Sequence, residues 1–538
     1  MKSNKPIKAK ISPYIIFPMI IGIMTGVLIF LFKVASTAVM RWSEHIYEFV
    51  RENPKYLPIL ILGAAAVGAI AAIVLKLAKE CRGGGIPTAV ASIRGLIPLK
   101  WMQGVFVLFG SALLTYFAGV PLGNEGPSVQ MGAAVGKGGS TISKKDKRAF
   151  ERYLMTGGAC AGFAIATGAP LSGILFALEE AHRKFSTSLF VVASISVLSG
   201  VITQRYLSFF FDVNVTFFDF TIDEVLPMQY LWSAILIGVV CGIASLVFTK
   251  FYRMVKTFSK TRPGRLPFTA KLIIIFAVTA VFGFVSSNFV GTGHAIIEDI
   301  LHGKTLWYLI LIALFIRAIL MIYANNEGVT GGVFVPNLAF GAMIASLIAE
   351  ALIAIGLVDG QYFAILVVVG MAAFLAASSR TPVTAIAFAA EALCVASNII
   401  PVVFGVVIAF IIVEASGRMS FADTVIEARA EAAHHGKEAF VVNTHMVVQK
   451  GAFAEGMEIR DIIWPTTCAV LSVDKKNSAM PHKGAHRVHA GDVFHLHYQT
   501  YDLEETAADL RAILGDQPED ENIRIRSCAE DHIIPAVE

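Results

Sequence analysis

Charge is scarce in this chain of 538 residues: Asp, Glu, Lys and Arg make up 16%, against roughly 25% in soluble domains. That excludes an ordinary water-soluble enzyme. The 56% of hydrophobic residues exclude a disordered chain, which needs low hydrophobicity and high net charge. The net charge of only +4 gives no footing for a nucleic-acid partner. Cysteine is sparse: Cys81, Cys160, Cys241, Cys394, Cys468 and Cys528 stand singly, with no CxxC pair, so no disulfide framework and no metal site is expected. The chain has no TVGYG filter, and no GxGxxG nucleotide fold precedes its C-terminal part, which sets a potassium system aside. Gly132–Lys137 fails as a phosphate loop, since the spacing is wrong and Gly138 follows the lysine. What is abundant is apolar length. With a mean hydropathy of +0.67, the protein belongs in a membrane.

A bilayer-crossing helix needs roughly 20 mostly apolar residues. Tyr14–Phe32, Leu57–Leu75, Val105–Val120, Leu189–Phe209, Leu231–Phe248, Leu272–Phe289, Leu306–Ile322 and Ile399–Val413 qualify as candidates. Tyr153–Leu178, Val333–Ile355 and Phe363–Ala377 are shorter or glycine-broken, as in transporters whose irregular backbone lines a cavity. Lys2, Lys5, Lys8 and Lys10 precede the first span, and the loops Lys144–Arg148 and Arg253–Lys271 are basic. The positive-inside rule therefore places all three in the cytoplasm, with the first span a retained anchor. The expected location is the plasma (cell inner) membrane, multi-pass, with the N-terminus and C-terminal domain cytoplasmic.

Beyond Arg429 the pattern changes. Ala439–Val448, Thr467–Val473 and Asp492–Tyr498 alternate apolar and polar residues as half-buried strands, and Leu503–Leu514 is an amphipathic helix. The division expected is a membrane domain over 1–430, a small α/β domain over 436–516 and a polar tail over 517–538.

The membrane part repeats itself. Gly158–Glu179 aligns with Gly370–Glu391: Gly158 meets Gly370, Pro170 meets Pro382, Phe176 meets Phe388 and Glu179 meets Glu391. A second pair sets Gly123-Asn124-Glu125-Gly126-Pro127 against Gly332-Val333-Phe334-Val335-Pro336, in the same order and at nearly the same separation. Two structural halves with a substrate path between them explain this best.

Three Gly/Pro motifs, at 83–87, 123–127 and 332–336, stand at the starts of apolar stretches. Proline suits a first helical turn and glycine allows close backbone approach. Helix starts offer unpaired N–H groups and partial positive charge, so several aimed at one point make a dehydrating anion site of moderate affinity. Glu125 sits inside one motif, where its carboxylate can itself occupy the anion site and leave on protonation. Glu179 has a counterpart in Glu391 and reads as a structural cap. Glu180 faces Ala392 in the alignment, so it is the candidate proton-handling group, beside His182, Arg183 and Lys184.

The three motifs resemble the anion-binding signatures of the CLC family of chloride channels and proton/chloride exchangers, over Ile15 to Ala430. The resemblance implies an all-α polytopic membrane protein with an internal inverted repeat and broken helices, forming a homodimer with a separate pore in each subunit. It implies transport of chloride and protons without a cofactor, Glu125 as external gating glutamate and Glu180 as the internal proton glutamate of exchangers. The anion would be held by Gly84, Gly85 and Ile86, by Gly126, by the amides of Val333 and Phe334, and by Phe421. A passive gated channel is the alternative, and a fluoride exporter ranks lower because GxFxP is intact. Three positions depart from the family pattern: Gly84 replaces a serine common in chloride-selective members, Phe421 a tyrosine and Asn124 an arginine. The first two loosen the expectation of strict chloride selectivity and tight coupling.

The C-terminal part, Val441 to Leu514, is similar to a TrkA-C (RCK-C) regulatory domain, through Val447–Gly451, Glu458–Ile462 and Gly491-Asp492-Val493. Such domains commonly dimerise and bind small ligands, cyclic di-AMP among them in some bacterial proteins. His482, His486, His489, His495 and His497 cluster there without a standard zinc spacing.

Overall fold

The computed structural model describes residues 8–141, 147–213, 217–218, 220–222, 224–261, 266–393, 395–475, 478–480, 484–517 and 524–528. The first half contains α1 (Lys8–Glu52), α2 (Leu57–Leu77), α3 (Ile86–Ile93), α4 (Trp101–Phe117), α5 (Glu125–Ser140), α6 (Lys147–Thr167), α7 (Pro170–Phe176) and α8 (Thr187–Phe210). The second contains α9 (Leu231–Thr261), α10 (Phe268–Val285), α11 (His294–Leu301), α12 (Trp307–Asn326), α13 (Phe334–Ala354), α14 (Phe363–Ser379), α15 (Pro382–Ala392) and α16 (Ile399–Ala415), and α17 (Phe421–His434) leads out. Among the described residues, nine helices are long and apolar enough to cross a membrane.

One expected span takes another form: Val105–Val120 becomes α4, only 17 residues long. Tyr153–Leu178, expected to be short or glycine-broken, breaks at Gly168, which has a positive φ of 71°, and restarts at Pro170 as α7. A π-turn over Ala177–Ala181 follows. The first helix, by contrast, runs 20 residues beyond the expected Phe32. Lys33 ends the apolar run but not the helix, because Ser36, Ser43, Tyr47 and Val50 continue its buried stripe and the Tyr47 hydroxyl donates to Ala118 O at 2.8 Å.

Glycine sets the packing of each half. A methyl group on Gly132 would collide with the Gly158 carbonyl, and one on Gly341 with the Gly370 carbonyl. The α5–α6 and α13–α14 pairs thus use equivalent backbone contacts. Helices α7 and α15 pack antiparallel: the C-terminal end of each lies at the start of the other, held by the carboxylates described below. The halves are therefore inverted relative to one another.

The C-terminal domain consists of β1 (Ala439–Val447), β2 (Cys468–Lys475), β3 (Ser478–Met480), β4 (Val493–Thr500), α18 (Leu503–Leu514) and β5 (Arg524–Cys528). One antiparallel sheet has the order β3-β2-β4-β1-β5. Strand β5 arises from the segment read as a polar tail and pairs with Ala439–Asn443. Its alternating Arg524-Ile525-Arg526 was a strand signal lost in polar surroundings.

Gly132→Ala is expected to destabilise the detergent-solubilised protein by about 1–3 kcal/mol, because overpacking here meets backbone that has no rotamer to yield. Thermal unfolding measures it; an unchanged midpoint contradicts the close α5–α6 contact.

Candidate anion site at converging helix starts

The three Gly/Pro loops, far apart in sequence, meet. Gly123 and Gly332 exchange backbone hydrogen bonds, N–H to O, at 2.7 Å each way. Gly331 N–H donates to Gly84 O at 3.1 Å, and Gly83 N–H to Gly328 O at 2.9 Å. A methyl on Gly126 would sit 2.6 Å from the Cα atoms of both Gly85 and Gly332. Only residues without Cβ permit this approach. The starts of α3, α5 and α13 therefore come together, with the unpaired N–H groups of each first turn. Gly84 is itself crowded: a Cβ there would lie 2.6 Å from Leu108 Cδ2 and 3.0 Å from Gln130 Oε1. A serine there would have to displace the ends of the Leu108 and Gln130 side chains, whereas glycine fits between them.

Glu125 begins α5 and is 0% exposed. Its carboxylate folds back against Gly123, and the amides of Glu125 and Val335 act on it, though neither oxygen completes an ordinary hydrogen bond. A carboxyl group thus already sits among the helix starts. Phe334 closes one side, its ring edge-on to Phe163 (5.2 Å) and Phe388 (5.0 Å).

The matched glutamates act as a pair. Glu391 accepts from Leu171 N–H (2.8 Å) and Ser172 N–H (2.9 Å) at the start of α7. Glu179 accepts from Val383 N–H (2.9 Å) and Thr384 N–H (2.7 Å) at the start of α15. Each carboxylate caps the other half's broken helix, so helix-start polarity is satisfied reciprocally.

A sequence profile for voltage gated chloride channels matches residues 63–414, well over half of the chain. The chain belongs to the voltage gated chloride channel (CLC) family. Its fold resembles three solved structures. A slow cyanobacterial Cl−/H+ antiporter has 22% identity and a TM-score of 0.70, covering 78% of this chain and 98% of the other. A eukaryotic CLC transporter has 20% and 0.63, covering 78% and 74%. A CLC-type fluoride/proton antiporter has 18% and 0.63, covering 76% and 98%.

In this CLC chain Glu180 stands apart from Glu125. It lies in the π-turn, where Arg94 Nη2 donates to Glu180 O (2.8 Å) and Arg94 Nε to Ala181 O (2.9 Å). Arg94 follows the last residue of α3, whose first turn borders the converging loops. The eight residues of α3, about 12 Å of helix, separate the two glutamates' surroundings. Arg183 pairs with Asp423 of α17 at 2.6 Å beside this turn. Phe421, at the start of α17, is buried between Phe248 and Tyr252, with ring centroids 5.2 and 5.1 Å away.

The C-terminal domain docks on the same side as Glu180. Tyr153 donates its hydroxyl to Asp461 O and accepts from Ile463 N–H. Arg152 pairs with Asp509 at 2.9 Å, Lys184 donates to Ile462 O at 2.8 Å, and Thr466 donates to Arg94 O at 2.5 Å. The Lys184 ammonium, outside the spans, is lowered by burial to about 8, with Asp461 opposing the shift. His495 contacts Asp474 (2.7 Å) and His497 contacts Asn443 (2.8 Å); His482 lies outside the described residues. Against the expectation of no metal ligands, one local cluster stands among the described residues: donor atoms of His486, His489 and Asp492 lie within 4.8 Å of one another, with Asp492 also accepting from His489 N–H at 2.8 Å.

Sequence reasoning missed Arg94, whose role depends on a turn 86 residues away, and the wall residues Phe163 and Phe388, which look like any core aromatics. It also missed Lys33, although a lone lysine inside an apolar helix was a usable signal.

Glu179→Ala and Glu391→Ala are each expected to cost about 1 kcal/mol of stability as lost helix caps, by similar amounts because the geometry is reciprocal. Glu180→Ala is expected to cost distinctly less, since among the described residues its side chain caps no helix start while its backbone carbonyl accepts from Arg94. Denaturation of the three variants separates the roles; equal losses in all three contradict the division.

Proposed function

We propose that the protein carries chloride, or a similar small anion, across the membrane in exchange for protons. The observation that supports this most is the wholly buried Glu125 carboxylate lying where three glycine-opened helix starts converge. An ionised carboxylate and an anion compete for the same N–H groups. Protonation of Glu125 removes its charge and its hold on those dipoles, so the side chain leaves as the anion enters. In this reading Gly84, Gly85 and Ile86, Gly126, and the amides of Val333 and Phe334 hold the anion, while Phe421 forms the inner wall. Glu180, at the far end of α3, passes protons to the other side.

The positive-inside rule makes the face bearing the C-terminal domain cytoplasmic. Arg148, paired to Glu505, and Lys256, paired to Glu431, lie on that side, and Tyr14 near the start of α1 packs against Phe150 and Tyr153 there. We further read the protein as an inner-membrane homodimer and the C-terminal domain as a TrkA-C-type regulatory module. Its contact with Arg94 gives it a route to the turn carrying Glu180. No arrangement among the described residues selects a cyclic dinucleotide.

The second reading, a passive anion channel gated by Glu125, uses the same site; the unmatched Glu180 favours exchange over it. Fluoride in place of chloride is the remaining alternative. Purified protein in liposomes decides between them. Exchange predicts that a pH gradient drives anion uptake and shifts the reversal potential. Glu125→Gln is expected to keep anion flux and lose proton flux, and Glu180→Gln to do the same. An anion current indifferent to the pH gradient defeats exchange, and proton pumping retained in Glu180→Gln refutes its role.

A further inference from the structure

The loop that carries Glu125 holds no cation: its neighbours are Leu122, Gly123, Asn124, Gly126 and Pro127. A carboxylate buried in a membrane interior needs a proton, dense donors or a counter-charge. A candidate for that charge comes from a different element. Lys33 lies in the middle of α1, 6% exposed, on the buried stripe that includes Ile29, Phe32 and Ser36. About 28 Å of helix separate it from Tyr14 and about 27 Å from Arg51, so its ammonium cannot snorkel to either end.

The same turn of α1 faces the Glu125 loop. Phe32 packs against Phe109 at 5.3 Å and Tyr116 at 6.3 Å between ring centroids, and the Tyr116 hydroxyl donates to Gly123 O at 2.9 Å. Helix α1 also packs directly on α5. Lys33 and Glu125, both buried, thus face the same α1–α4–α5 contact, near enough for their charges to influence one another without a direct ion pair between them. Among the described residues, titratable or charged groups facing this contact include Tyr116 from α4, His294 at the start of α11 and Arg317 from α12. Arg317 is committed elsewhere, donating to the carbonyls of Asn288, Val290 and Gly291. His294 contacts Thr292 Oγ1 at 2.9 Å.

We propose that Lys33 is the intramembrane counter-ion of Glu125, a positioning residue that holds the ionised carboxylate among the helix starts and attracts the anion once the carboxylate is protonated. Replacing one negative charge by another beside a fixed cation keeps the buried site's net charge constant through the exchange. The second half of this assignment rests on the transport reading; the pairing itself does not.

Infrared difference titration of the full chain, with the Glu125→Gln spectrum subtracted, follows the carboxylic C=O band of Glu125 directly. Removing an adjacent opposite charge favours the neutral acid. Lys33→Met is therefore expected to move the band's midpoint upward by about one pH unit, tenfold in proton concentration. Lys33→Arg is expected to restore the wild-type midpoint. Lys33→Gln serves if the methionine variant does not elute as folded protein. An unchanged midpoint in both neutral variants, or an arginine variant that behaves like them, overturns the pairing. If the wild type carries no proton-coupled flux in liposomes, the transport reading fails while the titration still decides the pairing. If flux is coupled, the pH profile of anion flux shifts with Lys33→Met in the wild-type background and not in Glu125→Gln, which keeps anion flux; an equal shift in both backgrounds also overturns the proposal.

Discussion

Peptide dipoles can face a single point inside a bilayer only if several backbones come closer than side chains allow. Gly85, Gly126 and Gly332 provide that approach, and the rest of the membrane domain serves to hold it. Because the three helix starts are buried among apolar residues, their N–H groups have no water to satisfy them and remain available to a negative group. A carboxylate anchored on the first turn of α5 fills that role in the structure. In the proposed reading, bound anion and bound carboxylate are alternatives, and that competition would couple an anion to a proton.

The two halves share what supports the site and differ in what works it. Gly132 with Gly158 and Gly341 with Gly370 draw equivalent helices together, and Glu179 and Glu391 cap each other's partner helix. These are the features an inverted duplication preserves on both sides. Glu125 aligns with Phe334, and Glu180 with Ala392. The symmetric positions hold helices together; the asymmetric ones are those to which the proposed function gives the ionisable chemistry. Lys33, on a helix outside the aligned segments, adds a third asymmetric charge.

Much of this was legible in the residues. The Gly/Pro motifs marked the helix starts because proline and glycine have few other reasons to stand together at the head of an apolar run. The repeat assigned Glu179 a capping role, and the amphipathic pattern of 503–514 set the limits of α18. Other features depended on contacts that no local pattern encodes. The length of α1 was hidden because Lys33 broke the hydropathy while its burial kept the helix going. Strand β5 was obscured by polar neighbours. The convergence at Gly126, and the link from the C-terminal domain through Arg94 to the Glu180 turn, join residues far apart in the chain. The close packing of Gly84 appears only when Leu108 and Gln130 are seen beside it.

If a dehydrated halide binds among these helix starts in the space a carboxylate otherwise occupies, crystals of Glu125→Gln grown in bromide will show it by anomalous diffraction. The expected result is a bromide peak bounded by residues 84–86, 126 and 333–334, weaker or displaced in the unmutated protein. A Glu125→Gln crystal with no bromide there, or with bromide only at the protein surface, would contradict it.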